Sequence, residues 1–275
     1  MSNNLHRAKP LLGTFVEVSV QDTVSDKSLI TQSNAAFKQI EQIESLMSFH
    51  NQDSELSKIN RHAYKQPMLI SDDMATVIKQ AIELSRLTAG VFDITIAPEL
   101  ISANLLPEYH YAYEAKASWQ DIILVDNHLF FERPLIIDLG GIAKGYAVDQ
   151  AVSAVDEDCK VIVNAGGDLS MSHWHNEQVS IRVPNSTTGQ TVDIAMQAAS
   201  IATSGHYFLE GNIAIINALT KEKADENISV SVFSNSCMLA DALTKVAFLY
   251  KESDAVLSNF RATSLRLNSK GEVLI

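Results

Sequence analysis

Apolar and polar residues alternate over Phe15-Val-Glu-Val-Ser-Val20, the period of a half-buried strand. The pattern then changes to a helical one. Ile30, Phe37, Ile40, Ile43 and Met47 fall on one face of a helix over 26–47, with Ser25 or Asp26 as its N-cap. Met74, Val77, Ile78, Ala81 and Leu84 make a second such face over 71–88, and Gly90 is placed to end it in the left-handed conformation. Beyond Asn104 the apolar runs shorten. Segments 122–125, 129–131 and 135–138 read as strands, with Asp126-Asn127 as a hairpin turn. A helix is expected over 143–155 and strands over 160–164 and 179–183. Further strands are expected near Val192, Ile201, Ile213 and Ser231, then a helix over 236–250 and a closing strand within 265–275. The polar stretch 184–190 reads as a loop inside one domain. Irregular interleaving of helices and hairpins predicts an α+β fold, with mixed or antiparallel sheets and flanking helices, in a single domain over 1–275.

Composition narrows the function classes. At 46% apolar and 20% charged residues the chain can build a sizeable core. Its formal net charge of −12 argues against nucleic acid as a partner, though not against a local nucleotide pocket. Cys159 and Cys237 lie in apolar surroundings and read as buried free thiols. The first residues contain no apolar run of the kind a signal peptide needs. A cytoplasmic protein without membrane insertion is the expectation, or a periplasmic one if a leader was trimmed.

The candidate chemistry lies in three glycine-bearing segments. In Leu135-Ile-Ile-Asp-Leu-Gly-Gly-Ile-Ala-Lys-Gly-Tyr146 an apolar run delivers Asp138, two glycines follow, and a helix starts. Such a turn suits anionic oxygens, although the spacing is neither a Walker P-loop nor Gly-x-Gly-x-x-Gly; a tight turn with Lys144 solvated is the alternative. Val163-Asn-Ala-Gly-Gly-Asp-Leu169 and Ala202-Thr-Ser-Gly-His206 read as further loops after strands, and the three together point to one shared cleft. Asp93 follows a helix stop. Asp241 sits in an apolar helical stretch, where a metal, a hydrogen-bond donor or an exposed face would offset its burial. Asp168 is equally suited to bonding its own turn. His173 and His175 flank Trp174 without metal-ligand spacing.

In order along the chain, these segments resemble the ApbE family of FAD:protein FMN transferases. The resemblance is carried by Leu12-Gly-Thr-Phe15, Met47-Ser-Phe-His-Asn-Gln-Asp-Ser-Glu-Leu-Ser-Lys-Ile-Asn60 and Gly90-Val-Phe-Asp93. It continues through Asp138-Leu-Gly-Gly-Ile-Ala-Lys-Gly-Tyr146, Asn164-Ala-Gly-Gly-Asp168, Thr203-Ser-Gly205 and Ala240-Asp-Ala242. It implies an ApbE-like fold with an FAD cleft. The activity it implies is Mg²⁺-dependent transfer of the FMN half of FAD to a Thr or Ser hydroxyl of an acceptor flavoprotein, with release of AMP. Asp138 and Lys144 would contact FAD and carry the catalysis. Leu12, His50, Val91, Phe92, Asp93, Thr203, Ser204 and Ile216 would complete the FAD contacts. The Gly141 carbonyl and Asp241 would hold Mg²⁺, and Thr244 would supply a further ligand after a one-residue shift from the family's position.

Several positions depart from the family pattern. Its metal-binding Thr is Lys245 here, just after Thr244. Its His, Pro and Gly near the pyrophosphate are Ala214, Ala218 and Lys221. His206, His50 and Leu12 replace an Asp, a Tyr and a Met. A lysine ammonium cannot ligate a cation, but it can meet phosphates as a point charge. Two other functions therefore stand beside transfer: a non-catalytic FAD-binding paralogue, and an FAD pyrophosphatase.

Overall fold

The computed structural model describes residues 3–22, 26–186, 188–205, 215–221 and 227–274, leaving aside the side chains of 26 and 27. Along the chain come β1 (Asn3–Leu11), β2 (Thr14–Asp22), α1 (Asp26–Met47), α2 (Glu55–His62), β3 (Met68–Leu69), α3 (Asp72–Leu87) and α4 (Ala97–Ser102). Then follow β4 (Ile122–Val125), β5 (His128–Phe131), α5 (Ala143–Ser153), β6 (Lys160–Ala165), β7 (Asp168–Met171), β8 (Gln178–Arg182), β9 (Thr191–Ala195) and β10 (Ser200–Gly205). The chain closes with β11 (Ile228–Ser234), α6 (Cys237–Leu249), α7 (Ser253–Asn259), β12 (Thr263–Asn268) and β13 (Val273–Leu274). This is the α+β architecture expected, with every strand pair antiparallel.

The chain divides into two compact units. The first comprises Met1–Glu44, Lys144–Gly211 and Asp225–Ile275. Its eight-stranded sheet runs in the order β1-β2-β6-β7-β10-β11-β12-β13. Val16, Val18 and Val20 of β2, Val161 and Val163 of β6, Phe37 and Ile40 of α1, and Val148 and Ala151 of α5 form one buried cluster. Phe15 is exposed, so the alternation predicted for β2 holds. Leu29 rather than Ile30 begins the buried face of α1; Ile30 is exposed. A second cluster packs Ile181 of β8 with Ile201, Phe233 and Leu267 of the main sheet, so the β8–β9 hairpin covers apolar surface. The expected loop at 184–190 connects these two strands, and the Val183 N–H donates to the Gln190 carbonyl at 2.8 Å.

β1 was not legible in the sequence. It is an edge strand with a polar pattern, and polar bonds to α1 hold it. Arg7 donates to Ser33 and Asn34 at 2.7 and 2.6 Å, Lys9 pairs with Glu41 at 2.7 Å, and both cations lie over the Phe37 ring.

The second unit comprises Ser45–Ala143 and Asn212–Ala224. Its small sheet has the order β3-β5-β4. Asp126 and Asn127 both take positive φ, the two-residue turn predicted between β4 and β5. Ser71 caps α3 through Met74, and all five residues predicted for its apolar face are fully buried. Gly90 ends this region at φ +86, its N–H donating to the Ser85 carbonyl at 2.8 Å. The short helices α2, α4 and α7 lacked a readable period. Among the described residues, no helix is long and apolar enough to cross a membrane.

Two expectations are corrected, and two fall outside the described residues. Segment 135–138 forms no strand, because its backbone bonds elsewhere: Asn60 clamps Ile137 through both its amide oxygen (2.9 Å) and nitrogen (3.0 Å), and the Asp138 N–H donates to the Ile94 carbonyl at 2.8 Å. Residues 202–205 are not a loop but the end of β10, paired with β11. The strand near Ile213 and the Ser25 cap fall outside the described residues.

Candidate functional site

In the first unit, four charged side chains converge. Lys144 stands on the first turn of α5, Asp168 begins β7, and Asp241 and Lys245 lie one turn apart on α6. Two structural choices bring them together. Gly145 lets α5 pass directly over the start of α6: a Cβ there would sit 2.2 Å from the Cys237 carbonyl oxygen. Asp149, one turn further along α5, then caps α6, accepting from the Cys237 and Met238 N–H groups at 2.7 and 2.9 Å and from the Ser236 hydroxyl at 2.8 Å. Asp168 is delivered by the tight β6–β7 turn, where Gly166 and Gly167 both take positive φ. The second glycine segment is therefore a hairpin turn that aims a carboxylate.

Lys144 bridges the two aspartates. Its ammonium is paired with Asp168 Oδ2 and lies 3.9 Å from Asp241 Oδ2. The Lys245 ammonium donates to Asp241 Oδ1 and, at 2.9 Å, to the Asp241 backbone carbonyl. The Gly145 N–H reaches Asp241 Oδ2 at 3.2 Å. Thr244, fully buried, shares a 2.7 Å hydrogen bond with Ser204 and donates to the Asp241 carbonyl at 2.7 Å. Thr203 bonds Ser231 at 2.9 Å.

Electrostatics separates the two carboxylates. Burial by itself would raise the Asp241 carboxyl, but Lys144, Lys245 and the Gly145 N–H outweigh it and hold it below the usual range. Asp168 is pushed up by burial and by the Asp241 charge, against the pull of Lys144 and Lys245. Burial disfavours the charged Lys144, yet the two aspartates more than compensate and raise it.

These groups do not fit a divalent cation as they stand. Mg²⁺ requires free hard oxygens. One Asp241 oxygen is bonded to Lys245, the other faces Gly145 and Lys144, and the Thr244 hydroxyl is engaged twice. Among the described residues, no group of three His, Cys, Asp or Glu side chains could hold a metal.

The second unit holds a different pair of carboxylates. Asp93 Oδ1 accepts from the Thr95 N–H and hydroxyl, each at 2.8 Å, and Oδ2 from the Trp119 N–H at 3.3 Å. Asp138 Oδ2 accepts from the Gly140 N–H at 3.0 Å. Burial raises both, with hydrogen-bond donors and the charges of Lys221 (on Asp93) and His50 (on Asp138) pulling the other way. Val91 and Phe92 are buried beside Asp93, Gly141 lies in the turn after Asp138, and His50 is exposed. Phe49, Tyr109 and Tyr111 form an aromatic group next to His50, and the Tyr109 hydroxyl donates to the His50 carbonyl at 2.9 Å. A cavity of about 610 Å³ is lined by Thr95, Leu135, Ile136, Ile216 and Lys221, a volume in the range of small-molecule sites. Lys221 pairs with Glu99 at 2.9 Å on its wall.

Leu12 occupies the β1–β2 turn at φ +55, its N–H bonded to Glu44 at 2.8 Å. His206 and Ala214 lie outside the described residues. Sequence reasoning gave no role to Asn60 or Asp149, and it singled out Lys245 without pairing it with Asp241. The i, i+4 spacing of that pair was the one available signal.

The family described as the ApbE family matches residues 12–262. The chain is 28% identical over 270 residues to a protein of Vibrio cholerae named FAD:protein FMN transferase, covering 88% of this chain and 80% of that one. It is 29% identical over 265 residues to the Chlamydia pneumoniae protein of the same name, covering 86% and 82%. In three dimensions it resembles the flavin transferase ApbE of Vibrio cholerae, with a TM-score of 0.81 at 25% identity over 99% of this chain and 96% of that one. The fold of the Thermotoga maritima ApbE protein superposes with a TM-score of 0.83 at 24% identity, over 99% and 96% of the two chains.

Proposed function

The chain belongs to the ApbE family, and from that premise we propose that it is an FAD:protein FMN transferase. In the proposed reaction a Thr or Ser hydroxyl of an acceptor flavoprotein attacks the phosphorus of the FMN half. The new P–O bond forms as the pyrophosphate bond breaks, and AMP leaves. Such a transfer depends on positioning and on neutralising phosphate charge.

The observation that carries this reading is Lys144. Two buried carboxylates fix its ammonium, the side chain keeps one-third of its surface exposed, and in the proposed reaction this ammonium meets the anionic pyrophosphate. Asp138 is the proposed acceptor of the hydroxyl proton, and its raised carboxyl suits that role better than an ordinary aspartate. Leu12, His50, Val91, Phe92, Asp93, Thr203, Ser204 and Ile216 are the proposed FAD contacts. Mg²⁺ on Gly141, Asp241 and Thr244 is the one part of the family resemblance that the arrangement around Asp241 does not support. Charge neutralisation is therefore assigned to the chain's own ammonium groups.

Mass spectrometry of an acceptor flavoprotein incubated with FAD and this protein tests the proposal. The expected result is an acceptor carrying one added FMN, with AMP in equal amount. FAD binding with neither product would favour a non-catalytic flavin binder, the reading to which Lys245 on Asp241 and the replacements Ala218 and Lys221 also point. Free FMN without an acceptor would identify a pyrophosphatase.

A further inference from the structure

The Asp241 carboxylate is fully buried, and a buried charge requires a partner of opposite sign. In this chain the partner is built in. The i, i+4 spacing puts Lys245 on the same face of α6, one turn beyond Asp241, so the pairing needs no distant element. The Lys245 ammonium takes Oδ1 and the backbone carbonyl together, while Oδ2 is held by Gly145 and faces Lys144. The four formal charges of Lys144, Lys245, Asp168 and Asp241 cancel without a metal. A divalent cation would have to displace an ammonium from Oδ1 and then share a buried site with it, which like-charge repulsion opposes. The Lys245 side chain keeps 22% of its surface exposed, and a lysine ammonium meets a phosphate oxygen as a point charge.

We propose that Lys245 is the resident cation of this site: its ammonium stands on the carboxylate that the family resemblance would give to Mg²⁺, and the protein holds the FAD diphosphate without a divalent metal. This rests on the FAD-binding part of the functional reading, not on transfer.

Two measurements separate the inference from that reading. The first is paramagnetic resonance of Mn²⁺, an oxygen-preferring stand-in for Mg²⁺, titrated into the protein alone. Wild type is expected to bind no Mn²⁺ stoichiometrically, and Lys245→Thr to gain one site that Asp241→Asn removes again. The second is calorimetric titration of FAD in Mg²⁺ and in EDTA. Wild-type affinity is expected to agree within about twofold between the two, whereas Lys245→Thr loses about tenfold or more in EDTA, as one charge-assisted contact implies. Stoichiometric Mn²⁺ binding by wild type would overturn the proposal, as would a wild-type FAD affinity that collapses in EDTA. A folded Lys245→Thr that gains no Mn²⁺ site would overturn it too. If Lys245→Thr does not fold, Lys245→Arg keeps the charge and is expected to stay indifferent to EDTA; metal dependence in that variant counts against the inference. A wild type that binds no FAD at all refutes the functional reading, and the Mn²⁺ titration still decides the cation.

Discussion

The two carboxylate regions of this molecule solve the same problem in opposite ways. In the first unit, Asp168 and Asp241 are buried against two ammonium groups, and Asp241 is held below its ordinary range. In the second, Asp93 and Asp138 are held by N–H and hydroxyl donors, and burial leaves both raised. Two ammonium groups hold the Asp241 charge, whereas Asp168, beside that charge, is raised, as are Asp93 and Asp138, which hydrogen bonds alone hold in place. In the proposed transfer, neutralising the anion falls to the first region and accepting the proton to the second.

The largest effect is expected where charge balance is broken. Lys144→Met leaves two buried carboxylates with only Lys245, and FMN transfer should fall by about 100- to 1000-fold, as for loss of a preorganised electrostatic partner. Single-turnover transfer kinetics would measure this, and a loss under about tenfold would detach Lys144 from the reaction. Next comes the contact that assembles the region. Gly145→Ala forces a Cβ into the Cys237 carbonyl and should destabilise the protein by about 3 kcal/mol, read from urea unfolding. The corresponding break in the second region is smaller. Asn60→Ala leaves the Ile137 N–H and carbonyl unpaired and should cost about 2 kcal/mol in the same assay, without altering the first cluster.

The subtlest test is pH. Asp241, depressed below 3.8, contributes stability that is fully present above that pH and is lost as pH falls through its folded value. The deficit of Asp241→Asn relative to wild type should therefore shrink below about pH 3.8. Asp138 runs the other way. Its raised folded value makes ionisation unfavourable, so Asp138→Asn should gain on wild type as pH climbs from 3.8 through that raised value. Parallel pH profiles for the two variants would erase the contrast between the regions.

Asp126-Asn127, the Met74–Leu84 face and the β2 alternation were legible because each is decided by residues near in sequence. Segment 135–138 misled for the complementary reason. Its apolar run satisfies a strand pattern, but the partner of its backbone is Asn60, a side chain 77 positions away. β1 was missed because an edge strand bonded to α1 through Arg7 and Lys9 needs no apolar alternation.

The same division holds for the site. The chain's own sequence determined its fold class, the glycine turn that ends at Asp168, the family it resembles and the positions where it departs, since these rest on local pattern and ordered motifs; the glycine segment at 202–205 is strand instead. Even the Lys245–Asp241 pair was latent in an i, i+4 spacing. Only the tertiary structure decided that Asp241 is wholly buried, that Gly145 lets α5 lie against α6, and that Lys144 joins Asp168 to Asp241. Burial and charge balance are sums over everything packed around a group, and no stretch of sequence contains that sum.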